Sequence, residues 1–316
     1  MNPSMKCIIY IVILFSFSSC EGDDIDVVDY EKIVTIIPDI QYYTNDEGRF
    51  HYLNSIVQFL KEERENICFS IQTGDVTNNN LDSQWDNAYQ HFFSRIPKKI
   101  PMVFCLGNHD YGNNGMSDIR ESNISEYMQP SYDIKMEGSK WDNYIEKVWL
   151  DGKEYGVMVL EFAPRNEVLD WVDSMLKSNP EIPFILLTHA FLNNQGKLFN
   201  YRDSNCDNEY SQKSYSMGGD YLNDSKEIFE KIIFNNTNVK MVICGHCLYK
   251  DFIATEYVQN TIEENVPCIM VNYQHDIEGG RGNIGILAIK DKTIYLYSYS
   301  TIEKRFLRYY TSFTIN

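Results

Sequence analysis

The chain has 316 residues, a length that suits one large domain and excludes a minimal module. Hydrophobic residues make up 43%, enough for a sizeable core, and no internal repeat or low-complexity tract interrupts them. The formal net charge of −17, with a pI near 4.7, argues against a broad nucleic-acid-binding face, because an acidic surface repels phosphate backbones. A phosphorylated substrate stays open, since bound metal ions reverse the local sign.

The first twenty residues read MNPSMKCIIYIVILFSFSSC. Lys6 precedes an apolar stretch over residues 7–17, and Ser18 and Ser19 lead to Cys20. A positive start, a short apolar segment and small residues make a secretory signal pattern, predicted over residues 1–19. The apolar stretch is well short of the ~20 residues that span a bilayer. FSSC resembles a bacterial lipobox, with Phe17 where Leu is usual. That resemblance implies export and a lipid anchor on Cys20, facing the periplasm or the cell surface; an ordinary cleaved signal is the alternative. Residues 20–31, CEGDDIDVVDYE, are rich in acids and are expected to form a solvated tether.

From residue 32 to the end, one domain is expected. A strand over about 32–38 is followed by a helix near 50–65, where apolar spacing is close to 3.6. A strand over 67–73, a helix near 82–96 and a strand over 101–106 come next. Residues 143–162 read as a hairpin turning at Asp151-Gly152. A helix near 166–178 precedes a strand over 183–188. Residues 190–222 form a long polar loop, of a kind usually functional or disordered. A helix near 224–235 and a strand over 239–244 follow, and CIMVNYQ, IGILAIK and TIYLYSYST read as closing antiparallel strands. Cys244 and Cys247 form a lone CxxC, which leaves open a disulfide, a redox pair or two buried thiols.

Five apolar, β-branched-rich runs end on groups able to hold a metal. IVTIIPDIQ ends on Asp39 and Gln41, and ICFSIQTGD on Asp75. MVFCLGNHD ends on Asn108, His109 and Asp110, FILLTH on His189, and MVICGH on His246. Buried strands with helices between them indicate an α/β fold, in which ligands bind beyond the carboxyl ends of the strands. Singly, Asp39 is a plausible strand-end cap, Asp75 a turn acid and His189 a satisfied core histidine. Together, five such endings point to one site. His51 and His91 fall in helical runs and read as structural. Tyr42 and Tyr43 suit either a pocket wall or the core, and Asn78 either the site or a turn.

In order, the endings are D-x-Q, G-D-x-x-N, G-N-H-D, H and G-H-x-x, over about residues 33–250. The pattern resembles the calcineurin-like metallophosphoesterases, with D-x-H, G-D, G-N-H-D/E, H and G-H-x-H, and in particular a branch with D-x-Q. The resemblance implies a four-layer αββα sandwich of two mixed sheets flanked by helices. It also implies hydrolysis of phosphate esters by water activated between two divalent ions, which screen the phosphate oxygens and lower the pKa of the water. Asp75 would bridge the ions, with Gly74 allowing the tight turn beneath them. Asn108, His189 and His246 would complete the second position. His109 would assist the leaving group, its ring oriented by Asp110.

The first position departs from the pattern. Asp39 and Asp75 are present, Gln41 offers an amide oxygen in place of imidazole, and Leu248 replaces a histidine outright. A tight second ion and a loose first one are expected, with Mn²⁺ or Mg²⁺ suited better than Zn²⁺ or iron. His275 is a replacement ligand that nothing in the spacing requires. A metal- or phosphate-binding lipoprotein without turnover is the rival reading, and a nuclease of the same superfamily a weaker one. Monoesters, diesters, nucleotides, phospholipids and phosphoproteins all remain open as substrates.

Overall fold

The computed structural model describes residues 25–124, 130–217 and 221–315. The expected signal segment, Cys20 and the start of the acidic tether lie outside the described residues. Two mixed sheets carry the fold. The first contains β1 (Lys32–Ile37), β2 (Ile67–Gln72), β3 (Met102–Phe104), β11 (Asn283–Lys290), β12 (Thr293–Ser300) and β13 (Arg305–Thr314), in the order β13-β12-β11-β1-β2-β3. The second contains β4 (Ile134–Lys135), β5 (Tyr144–Leu150), β6 (Lys153–Val159), β7 (Phe184–Leu187), β8 (Val239–Cys244), β9 (Ile253–Gln259) and β10 (Asn265–Val271), in the order β4-β5-β6-β7-β8-β10-β9.

Alternation along the strands builds the layers. Val34, Ile36, Phe69 and Ile71 of the first sheet meet Ile185, Leu187, Met241 and Ile243 of the second in one buried cluster. Their neighbours Ile33, Ile37, Leu186 and Val242 belong to the other cluster. That cluster also holds Leu53, Ile56 and Leu60 of helix α2 (Phe50–Glu62) and Val168, Val172 and Leu176 of α4 (Asn166–Ser178). Strands covered on both faces need apolar residues at successive positions, which is why β1, β2, β7 and β8 read as unbroken greasy runs.

Most expected elements are present, and the differences have physical causes. The hairpin turns at Asp151 (φ +48°) and Gly152 (φ +71°), the left-handed pair that a two-residue type I′ turn requires. A short helix α1 (Gln41–Thr44) follows β1, and α3 (Asp82–His91) stops short of residue 96. The helix expected over 224–235 starts as α5 (Ser225–Ile228) and widens into a π turn over Phe229–Ile233. Its start is set by a capping box: Glu227 N donates to Asp224 Oδ1 at 3.0 Å and Asp224 N to Glu227 Oε2 at 3.1 Å. β11 and β12 pair antiparallel as expected, but β10 lies between parallel β8 and antiparallel β9. The end of the expected tether is not wholly solvated. Ile25, Val27, Val28 and Tyr30 pack against the core, and Val28 N donates to the Tyr297 hydroxyl at 3.3 Å, while Asp26 and Asp29 stay exposed.

Candidate metal centre

The carboxyl ends of strands from both sheets meet at one end of the sandwich. Asp75 and His246 sit just past β2 and β8 with left-handed backbones, at φ +50° and +71°. Such conformations cost about 1–3 kcal/mol each in non-glycine residues and persist where the surroundings enforce them. The loop after β2 passes so close to the loop after β3 that a Cβ on Gly107 would collide with the Asp75 carboxylate.

Four side-chain atoms face one another there. His189 Nε2 lies 3.3 Å from Asp75 Oδ2, 3.1 Å from Asn108 Oδ1 and 3.2 Å from His246 Nδ1. Each histidine is tied from behind. His189 Nδ1 meets the Thr73 carbonyl at 2.7 Å, and His246 Nε2 meets the Tyr210 carbonyl at 2.9 Å. Donation of those N–H groups turns Nε2 of His189 and Nδ1 of His246 inward, the arrangement of metal-ligating imidazoles once the inward nitrogen of His189 has given up its proton. Asp75, His189 and His246 form a group whose donor atoms lie within 4.8 Å of one another. Converging donors of this kind fit a cation, which would take the place of the protons they hold without it.

The electrostatics show the same tension without an ion. Burial works to raise the Asp75 pKa, but His189 and then His109 hold it well below the usual carboxylate range. Burial works to lower that of His189, yet the Asp75 carboxylate keeps it at about 9. Burial and the His189 charge push His246 down to about 3. Burial lifts Asp39 to about 8 despite the opposing His189 charge.

The first position is built differently. Asp39 Oδ2 accepts from Asn272 Nδ2 at 2.8 Å, and Asn272 Nδ2 also reaches the His246 carbonyl at 3.0 Å. Asn272 Oδ1 accepts from Gln274 N at 2.9 Å, and Gln41 Nε2 donates to Gln274 Oε1 at 2.7 Å. Gln41 Oε1 is buried with no partner. An orphaned buried carbonyl oxygen beside a carboxylate suits a hard cation. Leu248 and exposed His275 line the same cavity, of ≈ 200 Å³.

Asp110 does not touch the His109 ring. Its Oδ1 accepts from Thr77 N at 2.8 Å and Thr77 Oγ1 at 2.9 Å, and its Oδ2 from Gly107 N at 2.9 Å and Val76 N at 3.1 Å. Asp110 is completely buried, and burial and then the Asp75 charge raise its pKa to about 6. It staples the two ligand-bearing loops together, while the Asn78 carbonyl holds His109 Nδ1 at 3.0 Å. Asp75 Oδ1 accepts the His109 backbone N–H at 3.0 Å, which ties the same loops again.

Asn272, Gln274 and the carbonyl contacts escaped the sequence reading. Asn272 and Gln274 follow an apolar run, as the other endings do, and that was the available signal. Phe162 was also missed: its ring lies 5.9 Å from that of His189 and 5.6 Å from that of His246. Arg120 anchors it, donating to the Phe162 carbonyl at 3.0 Å while paired with Glu161 at 3.2 Å. Tyr42 lines the cavity and Tyr43 is core. His51 is exposed, and His91 stacks on Phe50 with ring centroids 3.9 Å apart. Cys244 and Cys247 are both buried free thiols.

Residues 33–248 match the family model for the calcineurin-like phosphoesterase, and the chain belongs to that family of metal-dependent phosphoester hydrolases. Over 260 residues it is 24% identical to YvnB, an uncharacterised protein of Bacillus subtilis; the match covers 79% of this chain but 18% of YvnB. The fold is shared with the purple acid phosphatase PPD1 from yellow lupin (Lupinus luteus) seeds, with a TM-score of 0.54 and 14% identity, over 90% of this chain and 53% of that one. GAP50, the anchor in the inner membrane complex of Plasmodium, aligns more loosely, with a TM-score of 0.49 and 13% identity over 91% of this chain and 89% of its own.

Proposed function

We propose that this chain hydrolyses phosphate esters with two divalent ions held unequally. The observation that carries the reading is the convergence of Asp75, Asn108, His189 and His246 on one point, each histidine fixed from behind by a backbone carbonyl. Those four residues would hold the second ion, and Asp39, Asp75 and Gln41 the first, with Mn²⁺ or Mg²⁺ suited to the oxygen-rich first position. When bound, such ions screen phosphate oxygens and lower the pKa of a nearby water.

The chain's own residues supply the rest. Asp75 belongs to both positions and holds the loop after β3 through the His109 N–H. His109 lines the cavity, and the Asn78 carbonyl fixes its Nδ1. Nε2 of the protonated ring then gives its proton to the departing oxygen. Asp110 keeps the two loops in register and acts as a positioning residue. Turnover of a panel of phosphoesters with Mn²⁺, Mg²⁺, Zn²⁺ and Fe²⁺, beside a chelated control, tests the reading. Absence of metal-dependent hydrolysis across that panel would favour the rival binder, which Leu248 in the cavity wall supports.

Export and a lipid anchor on Cys20 are part of the same proposal, supported by the signal pattern and the lipobox-like FSSC. Cys20→Ala should turn a membrane-associated protein into a soluble exported one. A parent chain already recovered in the soluble fraction would remove the anchor.

A further inference from the structure

We infer that the cavity takes esters bearing one phosphate on an uncharged organic group with a flat ring, and turns away substrates with a second anionic group. This preference rests on the phosphoesterase reading above and names the substrate class for the same site.

Around the metal-holding residues, the wall is made of amides and phenols. Asn78, Asn194 and Gln274 supply neutral hydrogen-bonding groups, and Tyr42, Tyr210 and Tyr215 supply ring faces. No Lys or Arg lines the cavity among the described residues. Arg49 lies over the Tyr42 ring, 5.9 Å from its centroid, but pairs with Asp46 at 3.3 Å. His109 and His275 are the other nitrogen bases on the wall, and His109 is committed to the leaving group.

A first phosphate has the divalent ions to meet it. A second phosphate or a carboxylate would lose water against neutral amides on a chain of net charge −17, with no fixed cation to compensate. Size points the same way: ≈ 200 Å³ is below the roughly 300–1,000 Å³ of drug-sized sites, and leaves room for one phosphate and one small ring. Tyr215 packs edge-on against Phe162, with centroids 4.9 Å apart, and is a fixed wall. Tyr210 is 39% exposed and Tyr42 partly so, which leaves both able to meet a ligand ring.

Non-hydrolysable phosphonates separate this preference from turnover. The full chain, loaded with Mn²⁺, is titrated by calorimetry with methylphosphonate, benzylphosphonate and 4-carboxybenzylphosphonate. Benzylphosphonate should bind more tightly than methylphosphonate, and the carboxylate should weaken binding at least about tenfold, one desolvated unpaired charge being worth more than that. Tyr42→Ala should cost benzylphosphonate about three- to tenfold and methylphosphonate nothing, with Tyr42→Phe restoring the parent value. Equal binding of the neutral and carboxylated rings, or tighter binding of the latter, overturns the preference. So does a Tyr42→Ala loss shared by methylphosphonate. If the phosphonate order holds but no ester is turned over, the preference stands and the phosphoesterase reading fails.

Discussion

The two halves of the cleft solve one problem with different materials. On the side proposed for the second ion, imidazoles, an amide oxygen and a carboxylate face inward, and backbone carbonyls of Thr73 and Tyr210 hold the outer ring nitrogens. On the side proposed for the first ion, Asp39 is tethered by Asn272, Gln41 is held by Gln274, and Leu248 stands where the family pattern has a histidine. The Thr73 carbonyl lies just past β2 and the Tyr210 carbonyl in the long loop after β7, and neither is lost by substitution of its own side chain. Amide tethers can be lost one residue at a time. If both positions hold metal as proposed, the difference predicts that what stands behind the ligands governs affinity as much as the ligands themselves.

The largest effect should come from the residue common to both halves. Asp75→Asn removes the shared charge, so metal content should fall at both positions and turnover should drop to background; near-normal turnover with retained metal would end the two-ion scheme. His109→Ala comes next and separates chemistry from binding. Hydrolysis of esters with poor leaving groups should fall about 10²–10⁴-fold while metal content stays intact, and activated aryl esters should suffer less. Equal losses on both kinds of ester would take His109 out of the acid role.

Asn272→Leu should sharpen the contrast between the halves. It frees Asp39, breaks the link to Gln274 and also removes the contact to the His246 carbonyl, so first-position affinity should weaken about 10–100-fold and the second position less. Two-site calorimetric titration reads both constants, and equal weakening would show that the halves are not independently supported.

The pH dependence comes last, and its smaller part is the change in metal-free stability. His189, at about 9, and Asp39, at about 8, hold protons in the metal-free fold above their unfolded values. The folded state therefore binds more protons than the unfolded chain between pH 7 and 8.5, and metal-free stability should fall as pH rises through that window. Metal must displace the same protons, so its affinity should rise over the same window, by up to about tenfold per pH unit for each proton displaced. Thermal melts with and without Mn²⁺ at pH 7 and 8.5 check both signs. A stabilisation by metal that is no greater at pH 8.5 would contradict them.

Much of this was legible in the sequence because buried strands and metal ligands leave strong local marks. Apolar runs such as FILL and MVIC stop at histidines, and capping and turn residues such as Asp224 and Gly152 announce their elements. β9 and β13 were missed because each is the outer strand of its sheet, where charged and polar residues break the apolar run. The role of Asp110 was misjudged for a different reason. A sequence shows which side chain can accept hydrogen bonds but not that the backbone of Val76, Thr77 and Gly107 supplies the donors. Contacts to the carbonyls of Asn78, Thr73 and Tyr210 carry no residue signature at all.

The placement of donors beyond the strand ends also bears on how such a site can change over time. Asp39, Gln41, Asn108, His189, His246 and Leu248 all lie outside the β-ladders, so none of them takes part in strand pairing. A histidine can give way to glutamine at position 41, or to leucine at position 248, while the sandwich stays folded. The scaffold thus behaves as a fixed rack with exchangeable fittings.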